Sequence, residues 1–321
     1  MTLAGNRWLY LVVFAPCALL GALLLSLGRT TIDNIDCKSS KYRDGDFLAY
    51  CQSKQYGDYE HGALYYGLEP GIRDSIRNAK VIFLGTSTTQ AAFSTQAVRA
   101  YFDKLGLPFF VMGFGYGEVS PFALAVLKRS RAAPQVLVIS ADPFFFDRPV
   151  SEPALETLAG KPDFVWRLTM KMMFQRVHRF LCAMAPFVCS ESMPSIFRSA
   201  RDGQWNWIGP YVDERTIPIA LIRNAVPPER LEPWRQSGEK FLDEVGMDRR
   251  CVVLTGIPSP ISNSIGIAEA LAAALKTRSI FPPADGLATV DGGHLNLASA
   301  ERWSGQFLDA LTPILRDCLR R

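Results

Sequence analysis

Four short apolar runs constrain the fold of this 321-residue chain more than any other feature. They are Lys80–Leu84 (KVIFL), Pro108–Met112 (PFFVM), Gln135–Ser140 (QVLVIS) and Cys251–Thr255 (CVVLT). Most are closed by glycine-rich or proline-containing turns, and helix-patterned stretches follow: Ser87–Leu105, Glu118–Ala132, Ile265–Lys276 and about Ala298–Leu319. Nearly continuous apolar strands imply burial on both faces. Strands alternating with helices of about 10 to 15 residues imply a parallel sheet with helices on both sides. The sequence therefore predicts an α/β fold: a three-layer, flavodoxin-like parallel sheet. The rhythm fails between about 148 and 246, which reads as an inserted cap carrying a long helix from Asp163 to about Ala185. Residues 30–70 read as an irregular approach segment with some helix.

The N-terminus adds a second constraint. Trp8–Gly28 is 21 residues without a charge. As a helix rising about 1.5 Å per residue it matches the hydrocarbon thickness of a bilayer. Trp8 and Tyr10 suit the interface. A cleaved signal peptide is the rival, but its apolar region is usually shorter and ends in a small-x-small site, which SLGRTTIDN lacks. The expected organisation is a membrane anchor over 1–29 and a body over 30–321. The body then faces the periplasm from a single inner-membrane span.

Cysteine usage fits export. Cys17 lies in the anchor and six cysteines remain in the body. Spacing suggests Cys37–Cys51 and Cys182–Cys189, leaving Cys251–Cys318, although sequence cannot choose among pairings. No C-x-x-C occurs and only three histidines are present, so neither a metal site nor a cofactor is expected. The net charge of +4 is spread along the chain, which gives no nucleic-acid footprint.

Two motifs carry chemistry. Gly85-Thr86-Ser87-Thr88-Thr89 lies where the first strand meets its helix. In an open α/β sheet ligands bind at the carboxyl ends of strands, and free N–H groups in a first helical turn face a developing oxyanion. Asp291-Gly292-Gly293-His294 lies just before the last helix. There the glycines let the backbone fold back, so Asp291 can orient the imidazole while its other nitrogen serves a serine hydroxyl. Each motif alone is also an ordinary helix cap or turn.

Together, G-x-S after the first strand and D-x-x-H before the final helix resemble the SGNH (GDSL-like) hydrolase family. The resemblance covers about 79–147 and 250–318. It implies Ser87 as nucleophile, His294 as base and Asp291 as its orienting partner. It also implies an oxyanion hole from Ser87, a glycine after the second strand (Gly115, with Gly117 in reserve) and the third-block position. That position, usually asparagine, is filled by Ala141 or Asp142 here. A carboxylate there repels an oxyanion unless protonated, and a missing donor costs about 10²–10³ in rate. The α/β-hydrolase elbow G-x-S-x-G fits worse, because Thr89 replaces its second glycine.

Membrane-tethered proteins of this layout imply O-acetyl transfer or hydrolysis on an exported polysaccharide, alongside a multi-spanning acyltransferase. A lipid-directed esterase and a catalytically silent scaffold are the alternatives. Trp205, Trp207 and Tyr211 in the insertion are candidates for stacking on sugar rings, against simple packing.

Overall fold

The computed structural model describes residues 12–21, 43–51, 57–184, 195–208 and 216–319. Its centre is a five-stranded parallel sheet of β2 (Val81–Thr86), β3 (Phe109–Phe114), β4 (Val136–Ser140), β8 (Val252–Thr255) and β9 (Arg278–Ser279). Their order is β3-β2-β4-β8-β9. Counted along the chain this is 2-1-3-4-5, a doubly-wound order whose ligand crevice lies at the strands' carboxyl ends.

Alternation along the strands builds two cores. Val81, Phe83, Val111, Val138 and Val253 point to α3 (Ser87–Phe93), α4 (Gln96–Leu105) and α11 (Leu297–Leu319), where they meet Phe93, Phe102, Trp303 and Phe307. Ile82, Leu84, Met112, Ile139 and Leu254 point the other way, onto Tyr59 and Ile76 of α1 (Gly57–Tyr66) and α2 (Ile72–Asn78). The same core takes Phe122 of α5 (Ser120–Ser130), Phe241 of α9 (Pro228–Val245) and Leu271 of α10 (Ser264–Leu275). The α/β architecture and the parallel sheet with two-sided cover are therefore as the sequence predicts.

Two expectations are corrected. The stretch Ser87–Leu105 is two helices, not one, broken at Ser94 and Thr95. Thr95 caps α4 by accepting from Val98 N at 3.2 Å. Glu301 of α11 takes the next two free N–H groups, Gln96 at 2.6 Å and Ala97 at 2.8 Å. These partners satisfy the donors that a helix start leaves open. The approach segment is also not irregular throughout. Residues Asp46–Cys51 form β1, which pairs antiparallel with β5 (Ser195–Ser199), and β5 pairs with β6 (Trp205–Ile208). The insertion and the approach segment therefore build one small sheet. Between β4 and β5 the chain runs through α6 (Ala141–Phe144), α7 (Glu152–Ala159) and α8 (Pro162–Met184). A two-stranded ribbon of β7 (Ile217–Pro218) and β10 (Ala288–Thr289) completes the fold.

Cys251 and Cys318 are bridged, tying the approach to β8 to the end of α11. Cys182 is also disulfide-bonded. Cys37 and Cys189 lie outside the described residues. Residues 12–21 of the apolar N-terminal stretch are helical. No described helix is long and apolar enough to cross a membrane, and the rest of 8–28 lies outside the described residues.

On β1, burial pushes the Asp46 carboxyl up to about 6, with Arg43 pulling it back and Asp202 adding to the rise. A raised acid binds its proton more tightly in the folded state. Its stabilisation is present below the unfolded carboxyl range and is lost as pH rises through about 6. Thermal melts should therefore show Asp46→Asn gaining on the wild type above pH 6 and no such gain at pH 4. Equal differences at both pH values would refute this account.

Candidate active site

The site is assembled at the carboxyl end of β2. Gly85 precedes it with no room for a side chain: a Cβ there would meet Thr89 Oγ1 at 2.0 Å and Ser140 Cβ at 3.1 Å. Thr89 is fully buried and β-branched, so it cannot step aside. Gly85→Ala should cost about 1–3 kcal/mol in urea unfolding by overpacking this turn. Ser87 opens α3. Its neighbour Thr86 bonds the Thr88 hydroxyl at 3.0 Å and makes no side-chain cap, so the first-turn N–H groups are not capped by it.

His294 reaches Ser87 from 207 positions away. It sits in a tight turn closed by Val290 N donating to His294 O at 2.9 Å and by a bridge between Thr289 and Leu295. Gly292 adopts φ 86°, a region glycine enters without strain. Asp291 Oδ1 accepts from the N–H groups of Gly293 at 2.9 Å and His294 at 2.8 Å. Its Oδ2 lies 2.7 Å from His294 Nδ1, and His294 Nε2 lies 2.8 Å from Ser87 Oγ. A carboxylate only accepts, which assigns the proton to Nδ1 and leaves the Nε2 lone pair facing the serine hydroxyl. Burial alone would raise the Asp291 carboxyl. The His294 ring and the two backbone donors outweigh it and hold the group well below the usual carboxylate range. Its contribution to ordering the turn is thus present above the unfolded carboxyl range and lost as pH falls beneath it.

The glycine loop lies where the oxyanion donor is expected. Thr86 on β2 pairs with Phe114 on β3, so Ser87 and Gly115 leave neighbouring strands at the same level. No side chain fits at Gly115, where a Cβ would fall 1.8 Å from the Tyr50 hydroxyl. Gly117 has φ 62° and faces Arg148. Asp142 follows β4, and its Oδ2 accepts the Ser262 hydroxyl. Burial raises its carboxyl, while Ser262 and Arg148 pull it back.

Trp207 is half-buried and sets its ring against His294, with centroids 6.0 Å apart. Trp205 is buried, packs on Trp207 at 5.5 Å and spends its indole N–H on Glu60 at 2.7 Å. Both line a cleft of about 210 Å³ beside the His294 turn, with Gln96, Arg99, Asn206 and Leu297. The proposed stacking residue Tyr211 lies outside the described residues. Among the described residues no cluster of histidine, cysteine and carboxylate side chains is arranged to hold a metal.

The sequence reading missed the groups that hold this site in place. Arg198 and Glu60 are both fully buried and paired at 2.7 Å. Arg198 also donates to the carbonyls of Gly113 at 3.0 Å and Val111 at 2.7 Å, and Gln90 donates to the same two. β3 is the edge strand of the parallel sheet, so these carbonyls would otherwise lie unpaired. At the other end of the glycine loop, His61 meets Glu118 at 3.2 Å. Glu118 also accepts from the N–H groups of Val119 and Ser151. No local signal marks the two buried pairs, whose members lie 57 and 138 positions apart. Compared with known proteins, the chain matches no family model, no curated protein and no solved structure.

Proposed function

We propose that this chain is an SGNH-like serine enzyme that transfers or hydrolyses an O-acyl ester, acetyl foremost, on an exported polysaccharide. One observation carries the reading: the unbroken row of Ser87 Oγ, His294 Nε2, His294 Nδ1 and Asp291 Oδ2, with links of 2.8 and 2.7 Å. His294 takes the Ser87 proton as Oγ attacks the acyl carbonyl. The first-turn N–H groups and Gly115 face the developing oxyanion. His294 then returns the proton to the departing alcohol, leaving the acyl group on Ser87. A sugar hydroxyl or water attacks next, with His294 again accepting the proton. Transfer and hydrolysis differ only in that second nucleophile, and transfer is the favoured outcome. Trp207 and Asn206 beside the triad suit a sugar acceptor.

In this reading residues 1–29 are a single inner-membrane anchor, the body is periplasmic, and a multi-spanning acyltransferase supplies the acyl group. Six body cysteines, with Cys251 and Cys318 bridged across 67 positions and Cys182 also disulfide-bonded, suit an oxidising compartment. The test is covalent trapping. Purified full-length protein is incubated briefly with p-nitrophenyl acetate and digested for mass spectrometry. One acetyl group on the Ser87 peptide, absent from Ser87→Ala, is the expected result. Equal ester turnover by wild type and Ser87→Ala, with no acetylated Ser87, rules the reading out.

A further inference from the structure

Helix α8 carries an exposed apolar stripe opposite its buried face. Phe164, Leu168, Lys171, Gln175, His178 and Cys182 form its buried face. At about 100° per residue, Trp166, Met173, Val177, Phe180 and Met184 cluster half a turn away, with Leu181 at the margin. These six side chains are 45% to 72% exposed. A run of this size on a water-facing helix marks a surface that something covers. Arg176 and Arg179 lie along one flank, donating to the Leu68 and Asp46 carbonyls, and Arg167 lies along the other, paired with Glu156 at 3.1 Å, while Asp163 is the helix's lone carboxylate. An apolar stripe with arginine flanks is the composition of a helix lying in a membrane interface with anionic lipid.

The placement of α8 favours lipid over other occupants. Gln175 accepts from Leu48 N at 3.0 Å, and the Arg179 guanidinium donates to the Asp46 carbonyl. α8 therefore sits directly on β1, the first described strand after the uncharged stretch 8–28. Only residues 29–42 separate that stretch from Arg43, a reach of at most about 50 Å. A bilayer holding 8–28 keeps the α8 stripe within reach of its surface.

We propose that the solvent-facing stripe of α8 docks on the anionic phospholipid surface to which residues 8–28 tether the chain. This rests on the anchor reading and is independent of the Ser87 chemistry. The test uses the full chain carrying Cys17→Ser and Val177→Cys, labelled with an environment-sensitive fluorophore. It is reconstituted in vesicles of phosphatidylcholine with one quarter phosphatidylglycerol. The control label is at Asp309→Cys, on α11 across the sheet and exposed. Nitroxide-bearing lipids should quench the label at 177 at least threefold more than that at 309, and Phe180→Asp should reduce the difference. Equal quenching at both positions in protein that floats with the vesicles overturns docking and leaves the anchor standing. A label at 177 shielded from lipid nitroxide and aqueous iodide alike would mean that protein covers the stripe, and also overturns it. Protein that does not float with the vesicles overturns anchor and docking together.

Discussion

Asp291→Asn should slow saturated ester turnover by about 10⁴-fold while leaving the fold intact. The reason is the division of labour between the two carboxylate oxygens. Oδ1 accepts from the N–H groups of Gly293 and His294, and Oδ2 faces His294 Nδ1. An asparagine in that turn must keep its oxygen on the two backbone donors. Its NH₂ then faces Nδ1, which can only accept it by giving up its proton. The proton moves to Nε2 and points at Ser87, where a lone pair is needed. The imidazole stays in position with the wrong tautomer. Ser87→Ala removes the nucleophile itself and should cost still more, about 10⁶-fold. Steady-state kinetics on p-nitrophenyl acetate, with circular dichroism to confirm folding, decides this. An Asp291→Asn enzyme within tenfold of wild type would show that the carboxylate does not orient the base.

The largest stability effect is expected at Arg198. Arg198→Met removes one half of a fully buried ion pair and leaves Glu60 charged in the interior, at a cost of about 3–5 kcal/mol. The carbonyls of Val111 and Gly113 each lose a donor as well. For a domain of this size the melting temperature should fall by about 10 °C. Adding Glu60→Gln should recover part of the loss, because the uncompensated charge goes with it. Urea unfolding of the wild type, the single variant and the double variant measures the recovery. A single variant within about 1 kcal/mol of wild type would mean that the Arg198–Glu60 pair does not hold the edge of β3 in place. Activity should fall further than stability, because the loop from Gly113 to Gly117 hangs from the same carbonyls and Trp205 shares the same carboxylate.

The parts legible in the sequence share one property: their cause is local. Val81, Phe83, Val136 and Val138 declare buried strands because every position along a covered parallel strand is apolar. Gly85 before Ser87, and Gly292 and Gly293 before His294, mark places where the backbone must turn sharply or pass close to a neighbour. The four apolar runs therefore match the strand bounds to within one or two residues. Residues 87–105 read as one helix from sequence because the break depends on Glu301 and Trp205, more than a hundred positions away. β1 is not legible in the sequence because its partner strand begins at Ser195, and an edge of a small mixed-polarity sheet carries little periodic signal.

The amino-acid order alone thus determined an α/β body with a parallel sheet, and placed a serine where the first strand meets its helix and an aspartate and a histidine in a glycine turn before the last helix. The tertiary structure decided whether those groups met. It also decided that the insertion covers the edge of β3 instead of standing apart, that Asp142 is bound by Ser262, and that α8 leaves an apolar stripe uncovered. Local pattern sets burial and turns, whereas the partners of a buried charge or an open carbonyl are fixed only when distant segments pack together.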